Sequence, residues 1–270
     1  MRRFIKLLLR RTGYELCPIA PPQSLRDENP DITDPEWEVY ARVRPFTMLS
    51  LERILTNVRA IDYIVRSQIP GDIVECGVWR GGSSMAMALT LARHGDTCRR
   101  IWMYDTYAGM TDATCADVSH SGASAVALLD AARRYETPER SLVLAYASLG
   151  EVQANMRATG YPLSLIEFVK GPVEQTLTRN APDQISLLRI DTDWYRSTKH
   201  ELVHLYPRLS PGGVLIIDDY GHWQGARRAV DEYFTDVPLF LNRVDYTARL
   251  AIKLPEATSE ATRRCIHAEK

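Results

Sequence analysis

Between residues 73 and 234, short apolar runs typical of β-strands alternate with longer segments of helical periodicity. Strands separated by helices pair in parallel, and their right-handed crossovers place helices on the sheet. The pattern predicts strands over 73–76, 100–105, 163–169, 185–191 and 213–219, and helices over 83–94, 148–159, 197–209 and 224–234. We therefore predict an α/β fold with a mostly parallel sheet and helices on both of its faces.

The first predicted strand leads into a glycine-rich turn in the sequence VECGVWRGGSS. Gly77, Gly81 and Gly82 let a ligand approach the backbone closely where the next helix begins. The spacing differs from the dinucleotide pattern G-x-G-x-x-G, which disfavours a dehydrogenase. Glu75 lies in the strand end, and Asp105 ends the run IWMYD, where carboxylates commonly bind ribose hydroxyls. These residues indicate a positively charged nucleoside such as S-adenosylmethionine.

Two acidic pairs follow later strands, Asp191 and Asp193 in LLRIDTDWY and Asp218 and Asp219 in LIIDDYGHW. The carboxyl ends of parallel strands share one edge of the sheet, so these side chains should converge near the nucleoside. Carboxylate oxygens favour Mg²⁺, Ca²⁺ or Mn²⁺, and we find no histidine or cysteine spacing typical of a zinc site. Helix capping could explain one such aspartate, but two pairs beside a glycine turn make capping alone improbable.

Five motifs in this order resemble the macrocin and mycinamicin sugar O-methyltransferases, metal-dependent class I enzymes that methylate deoxysugar hydroxyls on natural products. The resemblance covers roughly Thr47 to Lys253. It implies a Rossmann-like class I methyltransferase fold with seven strands, closed by an antiparallel hairpin over 239–242 and 246–253, and an N-terminal helical extension. The motifs are IPGDIVECGVWRGGSS, YDTYAGM, FVKGPVEQTL, LLRIDTDWY and LSPGGVLIIDDYGHWQGARRAVDEYF.

The resemblance also implies roles for individual residues. Asp191, Asp218 and Asp219 would bind Mg²⁺, and Asp193 would orient the ligands or a metal-bound water. The segment Gly171 to Glu174 would flank adenine. The residues that we expect to contact S-adenosylmethionine are Met48, Glu75, Gly77, Trp79, Ser83, Asp105, Val173 and Glu174.

Methyl transfer from a sulfonium to a sugar hydroxyl requires the hydroxyl to lose its proton. Mg²⁺ bound to the hydroxyl would lower its pKa and hold it in line with the methyl group. Asp191 could accept the proton, and so could His222, which follows the second acidic pair. The sequence leaves both bases open.

Two other functions remain open at this stage. A catechol or phenolic O-methyltransferase would use the same metal chemistry, because vicinal hydroxyls chelate the ion. A non-catalytic nucleoside-binding module would have no need of Asp191, Asp218 and Asp219. The expected acceptor is a glycosylated small molecule or a glycan.

The remaining features concern the organisation of the chain. We predict an N-terminal helix and substrate-covering arm over 1–45, the methyltransferase domain over 46–255 with a mobile lid near 107–135, and a tail over 256–270. The basic N-terminal helix could touch a membrane surface, pack on the domain or contact a second subunit, and we expect a homo-oligomer. A net charge of -1 gives no case for nucleic acid, and five cysteines without paired spacing suit a reducing, cytoplasmic location.

Overall fold

The computed structural model describes residues 25–237 and 239–255. The chain divides into two compact units, residues 1–37 and 38–270. In the described part of the first unit, the backbone N-H and the hydroxyl of Thr33 donate to Glu36 Oε2 at 2.8 and 2.9 Å. These hydrogen bonds cap the N-terminus of helix α1 (Asp34–Val43), whose first turn carries the acidic Asp34 and Glu36.

The second unit contains a seven-stranded sheet. Its strands are β1 (Asp72–Cys76), β2 (Ile101–Asp105), β3 (Ile166–Lys170), β4 (Ile185–Ile190), β5 (Leu209–Ile217), β6 (Asn242–Arg243) and β7 (Arg249–Ile252). Their order is β3-β2-β1-β4-β5-β7-β6. Strands β1 to β5 pair in parallel, whereas β7 pairs antiparallel with both β5 and β6. The predicted mostly parallel sheet with a closing antiparallel hairpin is therefore confirmed.

Helices and short 3-10 turns connect the strands. The further α-helices are α2 (Leu51–Arg66), α3 (Gly82–Arg93), α4 (Ala125–Tyr135), α5 (Leu149–Arg157), α6 (Val173–Thr176), α7 (Tyr195–Leu205) and α8 (Gln224–Tyr233). The 3-10 turns are Arg44–Phe46, Pro138–Arg140, Leu163–Leu165 and Tyr206–Arg208.

Alternate residues of each strand face opposite sides of the sheet, so two cores form. Ile73 of β1 belongs to the core that includes helices α2, α3 and α5. The next residue, Val74, belongs to the core that includes helices α7 and α8. The predicted helices on both faces are thus confirmed, and the strands of the parallel sheet are buried on both sides.

The structure departs from the sequence prediction in three elements. Helix α1 lies in the predicted substrate-covering arm. Its buried residues Val39 and Val43 stand among proline and acidic residues, which obscure the helical pattern in the sequence. Helix α4 lies within the predicted lid, where the buried Ala125, Leu129 and Ala132 form a narrow helical stripe among small residues. Strand β6 spans only two residues, shorter than the predicted 239–242.

Candidate active site

The glycine turn after β1 brings the ends of three neighbouring strands together. Asp191 N donates to Cys76 O at 2.9 Å, and Asp218 N donates to Ile190 O at the same distance. Gly77 has a φ of +81°, and a Cβ atom there would lie 1.8 Å from the carbonyl oxygen of Asp191. Only glycine allows this approach, so Gly77 fixes how closely the first acidic pair lies to the turn.

Asp191, Asp218 and Asp219 converge at this edge of the sheet. Each contributes one carboxylate oxygen to a group whose members all lie within 4.8 Å of one another. Burial raises the pKa of Asp191 and of Asp219 well above the usual range, and the charges of neighbouring carboxylates add to the rise. The three predicted metal ligands therefore lie together, and their mutual repulsion favours binding of a cation.

A buried arginine, Arg189, supports these carboxylates from within the sheet. It lies on β4 opposite Glu75 of β1, and its side chain is 1% exposed. Its Nη1 donates to Glu75 Oε1 and to Asp191 Oδ2, each at 2.7 Å, and its Nη2 donates to Asp218 Oδ1 at 2.6 Å. One guanidinium thus orients carboxylates from three adjacent strands.

Arg53 of α2 contacts the same group from the cavity side. Its Nη1 donates to Asp218 Oδ2 at 2.5 Å, and its Nε forms an ion pair with Asp245 Oδ2 at 3.1 Å. Both oxygens of Asp218 therefore have guanidinium partners, whereas Asp191 Oδ1 accepts none of the hydrogen bonds among the described residues. A metal at this site would share Asp218 with Arg53 or displace it.

Asp193 lies beside the three carboxylates in a strained conformation, with a φ of +65°. Its backbone N-H donates to Asp219 Oδ2 at 3.1 Å, and the indole N-H of Trp223 donates to its Oδ1 at 2.9 Å. Burial, followed by the charge of Asp191, raises the pKa of Asp193 to about 7. Its contacts agree with the predicted orienting role, which stays a prediction.

Two adjoining cavities follow the glycine turn. The first, of about 60 Å³, is lined by Tyr104, Asp105 and the segment Gly171 to Glu174. The second, of about 200 Å³, extends from Asp105 past Gly77 to the three carboxylates. Together they form a crevice with the carboxylate of Asp105 in its wall and the three converging carboxylates at one end.

Asp105 occupies the centre of this crevice and is held by backbone N-H groups. Val78 and Trp79 donate to its Oδ2 at 2.7 and 3.0 Å, and Tyr107 donates to its Oδ1 at 2.7 Å. Burial raises the pKa of Asp105, although these hydrogen bonds oppose the rise. The carboxylate is thereby fixed in place before any ribose arrives.

The other predicted cofactor residues differ in their access to the crevice. Met48 and Trp79 line the larger cavity. In contrast, Glu75 is fully buried between Arg189 and the hydroxyl of Ser84. Ser83 is buried as well and accepts a hydrogen bond from Asn57 Nδ2 at 2.9 Å. Neither Glu75 nor Ser83 lines a crevice wall in this structure, and their contact with a cofactor stays a prediction.

A third cavity, of about 250 Å³, adjoins the crevice on the side of the predicted lid. Met48, Met110 and Asp193 line both this cavity and the larger part of the crevice. Its other walls are mainly apolar and include helix α4. They are formed by Ala125, Leu128, Leu129, Leu142, Val143, Ala145, Trp194 and Trp223, together with His222. An acceptor in this cavity would lie next to the carboxylates.

His222 lies in the wall of this third cavity. Its ring centroid is 5.2 Å from that of His120, and its Nδ1 is 3.4 Å from the hydroxyl of Tyr246. Burial, and then the charges of His120 and Arg53, lower the pKa of His222. The imidazole is therefore neutral near pH 7 and able to accept a proton.

Sequence reasoning missed several functional groups. The sequence did contain a signal for Arg189, because a charged residue within the buried strand β4 requires partners. Arg53 gave none, since its partners lie far along the chain. His200 and His204, four residues apart on helix α7, are a histidine spacing that the sequence prediction did not consider.

Comparison with known structures identifies the class. The solved structure of the O-methyltransferase NovP matches with a TM-score of 0.65 and 31% sequence identity, covering 78% of this chain and 83% of that one. The fold is that of a Rossmann-like methyltransferase, as predicted. The profile of the family described as Macrocin-O-methyltransferase (TylF) matches residues 36–250, and the chain belongs to this family of O-methyltransferases.

Two relatives act on natural products. The chain is 36% identical to 8-demethyl-8-(2,3-dimethoxy-alpha-L-rhamnosyl)-tetracenomycin-C 4'-O-methyltransferase of Streptomyces olivaceus, over 77% of this chain and 73% of the relative. It is 32% identical to mycinamicin III 3''-O-methyltransferase of Micromonospora griseorubida, over 69% of each chain. Both similarities extend over most of the methyltransferase domain.

Proposed function

We propose that the protein transfers a methyl group from S-adenosylmethionine to a sugar hydroxyl of a glycosylated natural product, with Mg²⁺ bound by Asp191, Asp218 and Asp219. The observation that carries this proposal is the convergence of these three carboxylates in the wall of the crevice, beside a third cavity that shares Met48, Met110 and Asp193 with it. The sugar acceptor is supported by the names of the relatives, which specify a rhamnosyl tetracenomycin and mycinamicin III.

The donor set fits a hard divalent cation. All three candidate ligands are carboxylates, and they converge within 4.8 Å. Burial, and then the charges of neighbouring carboxylates, raise the pKa of Asp191 and of Asp219, and only for Asp191 does the charge of Arg189 oppose the rise. A bound cation would relieve this repulsion. When bound, Mg²⁺ would lower the pKa of the acceptor hydroxyl and help to orient it.

The residues of the crevice would position the methyl donor. Asp105 would accept hydrogen bonds from the ribose hydroxyls, since its carboxylate is already fixed by three backbone N-H groups. The segment Gly171 to Glu174 would flank adenine at the narrow end. The methionine part would extend past Gly77 and Met48 toward the carboxylates.

The third cavity would hold the acceptor, and His222 would accept its proton. The C-S bond of the sulfonium breaks as the O-C bond forms, and the hydroxyl proton passes to the imidazole of His222. We assign the proton to His222 rather than to Asp191 because His222 lines the acceptor cavity, whereas Asp191 faces the crevice and holds Arg189. Trp194 and Trp223 offer ring faces for a sugar or its aglycone.

An assay of methyl transfer tests this function. Purified protein, S-adenosylmethionine and Mg²⁺ would be incubated with mycinamicin III, with the demethylated rhamnosyl tetracenomycin or with a simple catechol, and products followed by mass spectrometry. We expect a glycoside to gain a methyl group, EDTA or Asp219→Asn to abolish the gain, and Asp231→Asn on the surface to leave it unchanged. Methylation of the catechol alone would favour the phenolic enzyme.

A further inference from the structure

Helix α7 carries two histidines whose rings lie against each other. The sequence from residue 200 is His-Glu-Leu-Val-His, and residues four apart share one face of a helix. The ring centroids of His200 and His204 are 3.9 Å apart, with 31° between the ring planes. On a helix, two histidines at this spacing can bind one metal ion.

The ring nitrogens of this pair are arranged as those of metal ligands are. Nδ1 of His204 lies 2.8 Å from the carbonyl oxygen of His200, so it donates its hydrogen there and leaves the lone pair on Nε2. Nε2 of His200 is buried and has no hydrogen-bond partner among the described residues. A buried nitrogen without a partner is costly, and a metal ion would satisfy it.

The surroundings of His200 keep its ring in the state that a metal requires. Burial, and then the charge of His204, lower the pKa of His200, so that its ring is neutral at pH 7. The carboxylate of Glu174 on α6 opposes this lowering of the His200 pKa and places negative charge near the ring. Both histidines are partly exposed, although Nε2 of His200 is itself buried, so an ion would have to lose water to reach that nitrogen.

Glu201 shows that the pattern does not form a peptidase centre. In zinc peptidases with this pattern, the glutamate activates a water molecule on the metal. Here Glu201 is fully buried, and its Oε1 accepts a hydrogen bond from the hydroxyl of Thr192 at 2.9 Å. Together with burial, the charge of Glu201 helps to raise the pKa of the Cys76 thiol, which lies on the sheet side of α7. Glu201 is therefore part of the core. The two histidines would bind a metal ion without peptidase activity.

We propose that His200 and His204 form a second metal site, which binds a borderline divalent ion such as Ni²⁺ or Zn²⁺ through the two imidazole rings, with water completing the coordination. Imidazole favours these ions, whereas Mg²⁺ favours the carboxylates of the first site. A metal joining two turns would also stabilise α7. This proposal does not depend on the proposed methyl transfer.

Calorimetric titration of the untagged full-length protein with Ni²⁺ tests the site, with excess Mg²⁺ present to occupy the carboxylates. We expect saturable Ni²⁺ binding that His200→Asn and His204→Asn each weaken by about tenfold or more. The matched control is His94→Asn, because His94 pairs with Asp62 away from α7 and should not matter. Melting in EDTA shows whether the variants remain folded.

The outcomes separate this site from other nickel binders. Ni²⁺ should raise the melting temperature of the wild type and of His94→Asn but not that of His204→Asn. Unchanged binding in His200→Asn and His204→Asn would overturn the proposal. So would loss of binding in His120→Asn, which would place the ion beside His222, or in Asp219→Asn, which would place it on the carboxylates. The effect of Asp219→Asn on methyl transfer tests the proposed function separately from this histidine site.

Discussion

At the scale of single residues, two arginines that contact the carboxylates determine the charge of the site. Arg189 is almost fully buried and holds Glu75, Asp191 and Asp218 with short hydrogen bonds. Losing one partner of such a buried group leaves an uncompensated charge, so its members depend on one another. Arg53 differs, because it lines the cavity and contacts Asp218 from the side that a metal would use.

Replacing Arg53 should therefore strengthen metal binding. Arg53→Gln removes a positive charge that is 2.5 Å from Asp218, and we expect the affinity for Mn²⁺ to rise by about tenfold. Free Mn²⁺ can be measured by electron paramagnetic resonance during a titration. Arg93→Gln, which breaks a comparable ion pair with Asp62, serves as the control. Equal or weaker binding in Arg53→Gln would show that Arg53 supports the site and does not compete with the ion.

Asp193 gives the metal-free protein a distinct pH dependence. Its pKa is about 7 in the folded chain, above the usual 3.8, so the folded state holds this proton more tightly than the unfolded state. The free energy of unfolding must then fall as the pH rises from 3.8 through 7. Asn at this position cannot ionise, yet its side-chain oxygen can still accept the hydrogen bond from Trp223.

Urea unfolding in EDTA measures this effect. We expect Asp193→Asn to exceed the wild type in stability by roughly 1–3 kcal/mol at about pH 8, with a smaller difference at about pH 4.5. Comparison with the variant cancels the contributions of histidines that titrate in both proteins. A difference that is absent at pH 8, or that grows in acid, would contradict the assigned pKa.

At the scale of elements, the turn between β1 and α3 tolerates little change at Gly77. Gly77→Ala would place a Cβ atom 1.8 Å from the backbone oxygen of Asp191, which cannot move without shifting β4. We expect this variant to lose S-adenosylmethionine binding and more than about 3 kcal/mol of stability. Calorimetry and urea unfolding measure the two effects.

Gly160 offers a matched control for the turn. Its φ is +80°, nearly the same as that of Gly77, but a Cβ atom there would meet nothing within 4 Å. Gly160→Ala should therefore cost only about 1–2 kcal/mol of backbone strain and retain cofactor binding. Similar losses in both variants would mean that backbone conformation, and not the contact with Asp191, makes Gly77 necessary.

The elements also show what the sequence could predict. Strands β1, β2, β4 and β5 were predictable because short, mostly apolar runs suit a sheet covered on both faces. The convergence of Asp191, Asp218 and Asp219 followed from their places after parallel strands. Helix α4 escaped prediction because its buried stripe consists largely of alanine, which carries little hydrophobic signal.

The contacts that complete the site could not be predicted from local pattern. Glu75 and Arg189 are 114 residues apart, and their hydrogen bond depends on the register between β1 and β4. The same register places Glu75 inside the sheet, although its position after an apolar run suggested a direct cofactor contact. Pairings of this kind come from the tertiary fold, which a single sequence does not specify residue by residue.

At the scale of the whole molecule, the described residues account for the methyltransferase domain but not for the termini. The predicted basic N-terminal helix and the predicted tail over 256–270 lie outside the described residues. None of the helices within 25–237 and 239–255 has the length and apolar content that crossing a bilayer requires. Membrane contact, self-association and a cytoplasmic location stay predictions from the sequence.

The central claim is that Asp191, Asp218 and Asp219 hold a divalent cation in the crevice, next to the third cavity. An anomalous difference map from crystals grown with Mn²⁺ and S-adenosylmethionine tests it most directly. We predict a peak between Asp191, Asp218 and Asp219 that is absent in Asp219→Asn, with the sulfonium methyl directed toward the third cavity. Well-ordered cofactor without a manganese peak at these residues would contradict the claim.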